Sequence, residues 1–246
     1  MADFDNRYAR GAVQTADTVD AGLRAHMLRV YNYMLVGLAL TGATAWLTAD
    51  TSFGQLFYQV NPNTGRMGMT LLGWIALFAP LGLVLMMSFR INRMSVGAAQ
   101  ATFWAYAALV GIGVAPILLL YTGASVAQVF FITAATFGAM SLWGYTTKRD
   151  LSGFGSFLFM GLIGVVIASV VNLFFHSAMI TFVVSVIGVL VFTGLTAYDT
   201  QAIKESYVAN DDSTIAGRKA IFGALRLYLD FLNLFLMLMQ LLGNRR

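Results

Sequence analysis

The sequence predicts an all-α integral membrane protein with seven transmembrane helices. Of its 246 residues, 59% are hydrophobic and 11% charged, with a mean hydropathy of +0.74; a soluble domain carries about 25% charged residues. A span needs about 20 apolar residues, and seven windows qualify: roughly 27–48, 70–89, 96–121, 124–146, 154–175, 178–198 and 220–243. The basic residues between those windows fall mostly on one side, as the positive-inside rule requires of a polytopic chain.

Taken in order, residues 1–26 form a polar N-terminal tail, with Asp3, Asp5, Asp17 and Asp20 set against Arg7, Arg10 and Arg24. No apolar run with a small-residue cleavage site occurs there, so the first span is expected to act as its own insertion signal. The rest, 27–246, reads as one seven-helix domain. Pro80 and Pro116 sit inside spans two and three, where the missing N–H is expected to kink the helix. Very short linkers join spans three to four and five to six, which predicts two antiparallel hairpins. Small residues recur within the spans, as in Gly111-Ile112-Gly113 and Gly161-Leu162-Ile163-Gly164, and allow close helix approach where no hydrophobic effect drives association. The last two spans are expected to run a turn or two past their limits.

With the N-terminus cytoplasmic, the inside segments hold ten basic residues: Arg7, Arg10, Arg24, Arg90, Arg93, Lys148, Arg149, Lys204, Arg218 and Lys219. The outside segments hold three, Arg66, Arg245 and Arg246. That bias predicts a cytoplasmic N-terminus and an external C-terminus. The polar loop 49–69, with Asn61-Pro62-Asn63, is then external, and the 199–219 loop cytoplasmic.

Several chemistries are excluded or disfavoured. No cysteine is present, which removes disulfides, thiolate catalysis and Cys-ligated zinc. Net charge is +4, but the basic residues sit at loop ends rather than in a stripe with interleaved aromatics, so nucleic acid is not a partner. His26 and His176 lie at span ends on opposite sides and form no zinc pair. A retinal-type pump needs a lysine within the last helix, whereas Lys148, Lys204 and Lys219 lie in loops or at span ends. Tyr198-Asp199 invites comparison with an intramembrane aspartyl protease, but Asp230 follows Leu227-Tyr228-Leu229 rather than a Gly-x-Gly context. No enzymatic activity and no cofactor are expected.

The acids are the most informative residues. Four of the eleven belong to the N-terminal tail, and Asp50, Asp150, Glu205, Asp211 and Asp212 fall in loops or beyond span ends. Asp199 is left at the cytoplasmic end of span six, near a helix C-terminus whose dipole disfavours an anion. Asp230 lies about ten residues, or roughly 15 Å, into span seven. An ionisable residue within a span is expensive and is a functional candidate by default. Arg226, Asp230, Asn233 and Gln240 share one face of that helix, and the stripe must point into the bundle because lipid offers it no partner. Two carboxylates converging there repel by ~4 kcal/mol at about 4 Å and an effective dielectric near 20. They would share a proton and titrate as one unit. The plainer alternative is an i,i+4 ion pair between Arg226 and Asp230 that locks the bundle.

The segment Phe192-Thr193-Gly194-Leu195-Thr196-Ala197-Tyr198-Asp199-Thr200-Gln201-Ala202-Ile203-Lys204 resembles the signature of the transmembrane Bax inhibitor motif family. So does Leu227-Tyr228-Leu229-Asp230-Phe231-Leu232-Asn233-Leu234-Phe235. Length, span number and topology fit a bacterial member along essentially the whole chain. The resemblance implies a bundle in which the seventh helix is central, wrapped by the other six. It also implies a pH-sensitive calcium leak of the cell membrane, with Asp199 and Asp230 as a di-aspartyl proton sensor and possible calcium path. Arg90, in Ser88-Phe89-Arg90, matches the arginine that latches onto the first acid. Arg226 is not carried over from the family pattern; it and Asn233 are candidate modulators of the pair. Calcium and protons are the expected traffic and the bilayer the expected surroundings. Two other roles stay open: a membrane regulator acting through protein contacts, on a membrane protease or in stress and cell-death control, and a proton-coupled cation exchanger.

Overall fold

The computed structural model describes the backbone of residues 2–60 and 67–246 and the side chains of residues 21–59 and 68–246. Its helices are α1 (Ala2–Asp50), α2 (Leu71–Arg90), α3 (Val96–Leu120), α4 (Gly123–Thr146), α5 (Ser152–Phe175), α6 (Ala178–Glu205) and α7 (Ser213–Leu242). All seven are long and apolar enough to cross a membrane. Residues 1–20 of the polar tail and the Asn61-Pro62-Asn63 stretch with Arg66 lie outside the described side chains.

Helix starts are set by local chemistry. Thr70, Ser95, Thr122 and Ser177 each accept a hydrogen bond from the backbone N–H three residues on, and Asp212 accepts from Thr214 and Ile215. These caps satisfy amides that the helix itself leaves unpaired. The two N–H donors hold the exposed Asp212 carboxyl below the usual carboxylate range. Helix α5 starts differently. Its first turn follows Leu151, whose N–H donates to Gln201 Oε1 at 2.8 Å, while Gln201 Nε2 donates to the Arg149 carbonyl. One side chain on α6 therefore fixes the whole α4–α5 turn. Pro80 and Pro116 both lie inside helices that continue past them.

The loop after α1 contains structure that its polar composition did not suggest. A short 3-10 helix (Ser52–Leu56) leads into a hairpin of β1 (Tyr58–Val60) and β2 (Met67–Met69), with Tyr58 opposite Met69. Tyr58 donates to the Ile112 carbonyl of α3 at 2.8 Å, which ties the hairpin across the end of the bundle.

Helix α7 is the most buried of the seven and packs on α1, α3, α4 and α6. Helices α2 and α5 are peripheral and lean mainly on α3 and α6. The last helix is thus central, with four helices rather than six forming its close packing. At the middle of the core Tyr228 is fully buried, its hydroxyl 2.6 Å from Thr41 Oγ1, and its ring meets Phe103 and Tyr106 edge-on. Small residues set the closest approaches. A Cβ at Gly144 on α4 would run into the Ala197 carbonyl of α6, and one at Gly111 on α3 would strike Thr41 and Thr44 of α1.

Backbone cannot move aside as a flexible side chain can, so overpacking at such a contact costs about 1–3 kcal/mol or more. Gly144→Val is expected to lower thermal stability in detergent by that amount. Gly138→Ala, on the same helix but facing open space, should stay within about 0.5 kcal/mol of wild type.

Candidate functional site

Helix α6 supplies one side of the site and α7 the other. On α6 the polar residues of the Thr193–Lys204 stretch turn in different directions, and most are satisfied locally. Thr196 and Thr200 donate to the carbonyls four residues back, Gln201 holds the α4–α5 turn, and Lys204 Nζ donates to the Tyr145 carbonyl at 2.7 Å. Tyr198 packs against Gly155 of α5, where no other side chain would leave room for the ring. Asp199 is directed at α7, where it lines a cleft with Arg226 and Asp230.

There it meets Asp230. Asp199 is 9% exposed and Asp230 4%, and the two carboxyl groups lie within hydrogen-bonding reach of each other. Arg226, one turn before Asp230, places Nη2 3.6 Å from Asp199 Oδ1. Asp230 Oδ2 is buried and receives no N–H or O–H from any described residue. A carboxyl–carboxyl hydrogen bond needs one proton between the two acids, since two carboxylates offer only acceptors. The arrangement therefore accommodates one shared proton and one negative charge, the latter facing Arg226.

The three residues line a cleft of about 680 Å³, walled by Val84 and Ser88 of α2, by Gly155, Ser156 and Phe159 of α5, and by α6 and α7. Asn233 lines it one turn beyond Asp230, its Nδ2 donating to the Leu229 carbonyl at 2.9 Å. Gln240 belongs to a different environment: its Oε1 accepts from Ser185 Oγ at 2.8 Å. Between Asn233 and Gln240 the contact is apolar, with Met237 lying against Gly188.

Several sequence expectations change here. Arg226 pairs across the helix interface with Asp199, not along its own helix with Asp230. Arg90 is exposed at the end of α2, and among described residues it makes no ion pair. The reason is rotational. Helix α2 faces the cleft with Val84 and Ser88, and Arg90 follows Ser88 by two residues, about 200° around the helix. Helix α6 also extends to Glu205, so Asp199 is more than a turn from its end and feels little of the C-terminal dipole, which fades within the last turn. Helix α7 starts at Ser213, which puts Asp230 about 26 Å along it rather than 15 Å.

Sequence reasoning missed a hydrogen-bond chain behind the site. Tyr31 of α1 bonds Ser141 of α4 at 2.6 Å, and Ser141 bonds Thr200 of α6 at 2.9 Å. The one available signal was the position of Thr200 directly after Asp199, with its side chain on another face of α6.

A profile of the family described as "Inhibitor of apoptosis-promoting Bax1" matches residues 23–246, which includes every span and both acids. The chain belongs to the Bax inhibitor family. Its relatives include the inner membrane protein YbhL of Escherichia coli, 47% identical over 229 residues covering 92% of this chain and 94% of YbhL. A protein of Rickettsia prowazekii is 48% identical over 93% of both chains, and one of Caulobacter vibrioides 44% identical over the full length of both. This Bax inhibitor family member is accordingly a multi-pass integral membrane protein.

An amide at either acid can donate to the remaining carboxyl. Asp199→Asn and Asp230→Asn are each expected to unfold within about 1 kcal/mol of wild type. Asp230→Ala removes the partner and leaves the buried Asp199 carboxyl half-satisfied, at a cost of about 1–3 kcal/mol. Thermal unfolding in detergent, followed by loss of the monomer peak on size exclusion, separates the two outcomes.

Proposed function

We propose that this Bax inhibitor family protein is a pH-sensitive cation leak of the inner membrane, with calcium as the ion and the Asp199–Asp230 pair as its proton-operated gate. The observation that carries the reading is a cleft reaching two carboxyl groups in contact, with only one guanidinium to balance them. While one proton is shared, the acids hold α6 against α7 and the local charge is balanced by Arg226. When that proton leaves, two carboxylates face each other at ~4 kcal/mol of repulsion, and Arg226 compensates one of them. The site then carries a net negative charge and attracts a cation. The E. coli relative's name places that protein in the inner membrane, and the same location is proposed for this chain, with the α6–α7 loop in the cytoplasm.

Calcium suits the donor set. It takes six to eight oxygen ligands, and two carboxylates with the Asn233 carbonyl supply at most five. The remaining places fall to neutral hydroxyls of the cleft or to water, which fits an ion in transit better than one held in a closed cage. Passage further along α7 requires the Met237–Gly188 contact to separate, a hydrophobic constriction of the kind that gates by excluding water. Arg90 enters only if α2 rotates, so in this closed arrangement Arg226 takes the position at Asp199.

Reconstituted in calcium-free liposomes, the wild type is expected to admit calcium increasingly as pH rises, and Asp199→Asn to flatten that dependence. Identical pH profiles for the two proteins would sink the gating role. A regulator acting through protein contacts behaves differently: deleting residues 1–22 would abolish the cellular phenotype while flux persisted.

A further inference from the structure

A second lateral opening lies between α1 and α4, and the carboxylate site does not use it. It is a groove of about 510 Å³, lined by Met27, Leu28, Met34 and Leu35 of α1 and by Phe137 and Leu142 of α4. The two helices are bridged at its floor by the Tyr31–Ser141 hydrogen bond, not by close ridge-into-groove packing. Leu28, Leu35 and Leu142 are 53%, 56% and 64% exposed, so the groove faces hydrocarbon along its length. Its end nearest the α6–α7 loop is charged. Arg24 and Tyr145 line that end, and Lys204 sits 5.3 Å from the Tyr145 ring centroid while donating one hydrogen bond to the Tyr145 carbonyl.

We infer that this groove is a binding site for one anionic phospholipid, with an acyl chain between α1 and α4 and its phosphate between Arg24 and Lys204. Three properties select that ligand. The groove opens to the bilayer interior, which a water-borne polar molecule does not cross. From Arg24 to Leu35 it is about 16 Å long at the helical rise, close to half of a ~30 Å hydrocarbon core, so it matches a chain from a single leaflet. Arg24 lines the groove's end and Lys204 stands beside Tyr145 there, on the side where the bias of basic residues places the cytoplasmic headgroups. An ammonium has three donors and Lys204 spends one on Tyr145, leaving two for phosphate oxygens.

The site also has a route to the rest of the protein. Ser141 at the groove floor bonds Thr200, which follows Asp199 on α6. A chain wedged between α1 and α4 therefore braces a face of α6 about 100° round from Asp199. The lipid site itself stands apart from the leak reading and is tested without flux.

Full-length protein in mild detergent is titrated with dioleoylphosphatidylglycerol or dioleoylphosphatidylcholine and examined by native mass spectrometry. The wild type is expected to retain one phosphatidylglycerol, in preference to phosphatidylcholine by roughly tenfold or more, given ~1 kcal/mol per basic residue at an anionic headgroup. The double variant Arg24→Gln with Lys204→Gln should lose that preference while still binding either lipid weakly. Gly138 faces open space beside the groove, so Gly138→Trp is expected to fill it and expel both lipids with helical content unchanged. Equal retention of the two lipids by wild type, or a preference that survives the double variant, would mean annular lipid only and overturn the site. A dimer that Gly138→Trp abolishes would make the occupant a second copy of the chain and overturn it equally.

Discussion

The contact between Asp199 and Asp230 constrains everything around it. Hydrocarbon offers no partner to an ionisable group, so two acids within the spans require a bundle that closes around them. Burial of α7 by α1, α3, α4 and α6 meets that requirement. The glycine contacts let α4 approach α6 closely and α3 approach α1, and Gln201 pins the turn that brings α5 alongside. The site is then one polar pocket inside a housing of small and apolar residues. Its charged inventory is narrow, two carboxyls and one guanidinium, joined by the Asn233 amide and the hydroxyls of Ser88, Ser156 and Tyr198.

Much of the fold was legible because membrane insertion simplifies the code. Seven apolar windows became seven helices, five of them begun by a capping Ser, Thr or Asp. The short hairpin after α1 was not legible, since three-residue strands stabilised by one tyrosine hydrogen bond to α3 leave no periodic trace. Asp230 stood out by its cost within a span and Asp199 by sorting the remaining acids, and the polar stripe on α7 lines the cleft as far as Asn233. Its last member, Gln240, joined Ser185 instead, because seven residues of helix carry it beyond the cleft.

The pairings were harder to read than the residues. Arg226 is equally able to reach along its own helix or across to α6, and the choice depends on how α6 is rotated against α7, which spacing does not encode. Arg90 shows the same limit in reverse. Its place in the chain matches a family latch, yet the face of α2 turned toward the cleft belongs to Val84 and Ser88. Under the proposed gating, an arginine on α7 rather than on α2 at Asp199 changes what opening must break. With Arg226 in place the counter-charge travels with α7, beside Asp230, and it need not be carried on a peripheral helix. The groove between α1 and α4 reaches α6 through the Ser141–Thr200 hydrogen bond, one residue on from Asp199.

The account rests on one proton held in common by two acids, and infrared difference spectroscopy across a pH titration reads it directly. The wild type should show a single protonated-carboxyl band that disappears in one step as pH rises. Asp199→Asn and Asp230→Asn should each remove that step entirely, because neither acid titrates in this way without the other. Survival of the band's titration in either variant would show two independent carboxyls and contradict the shared-proton site.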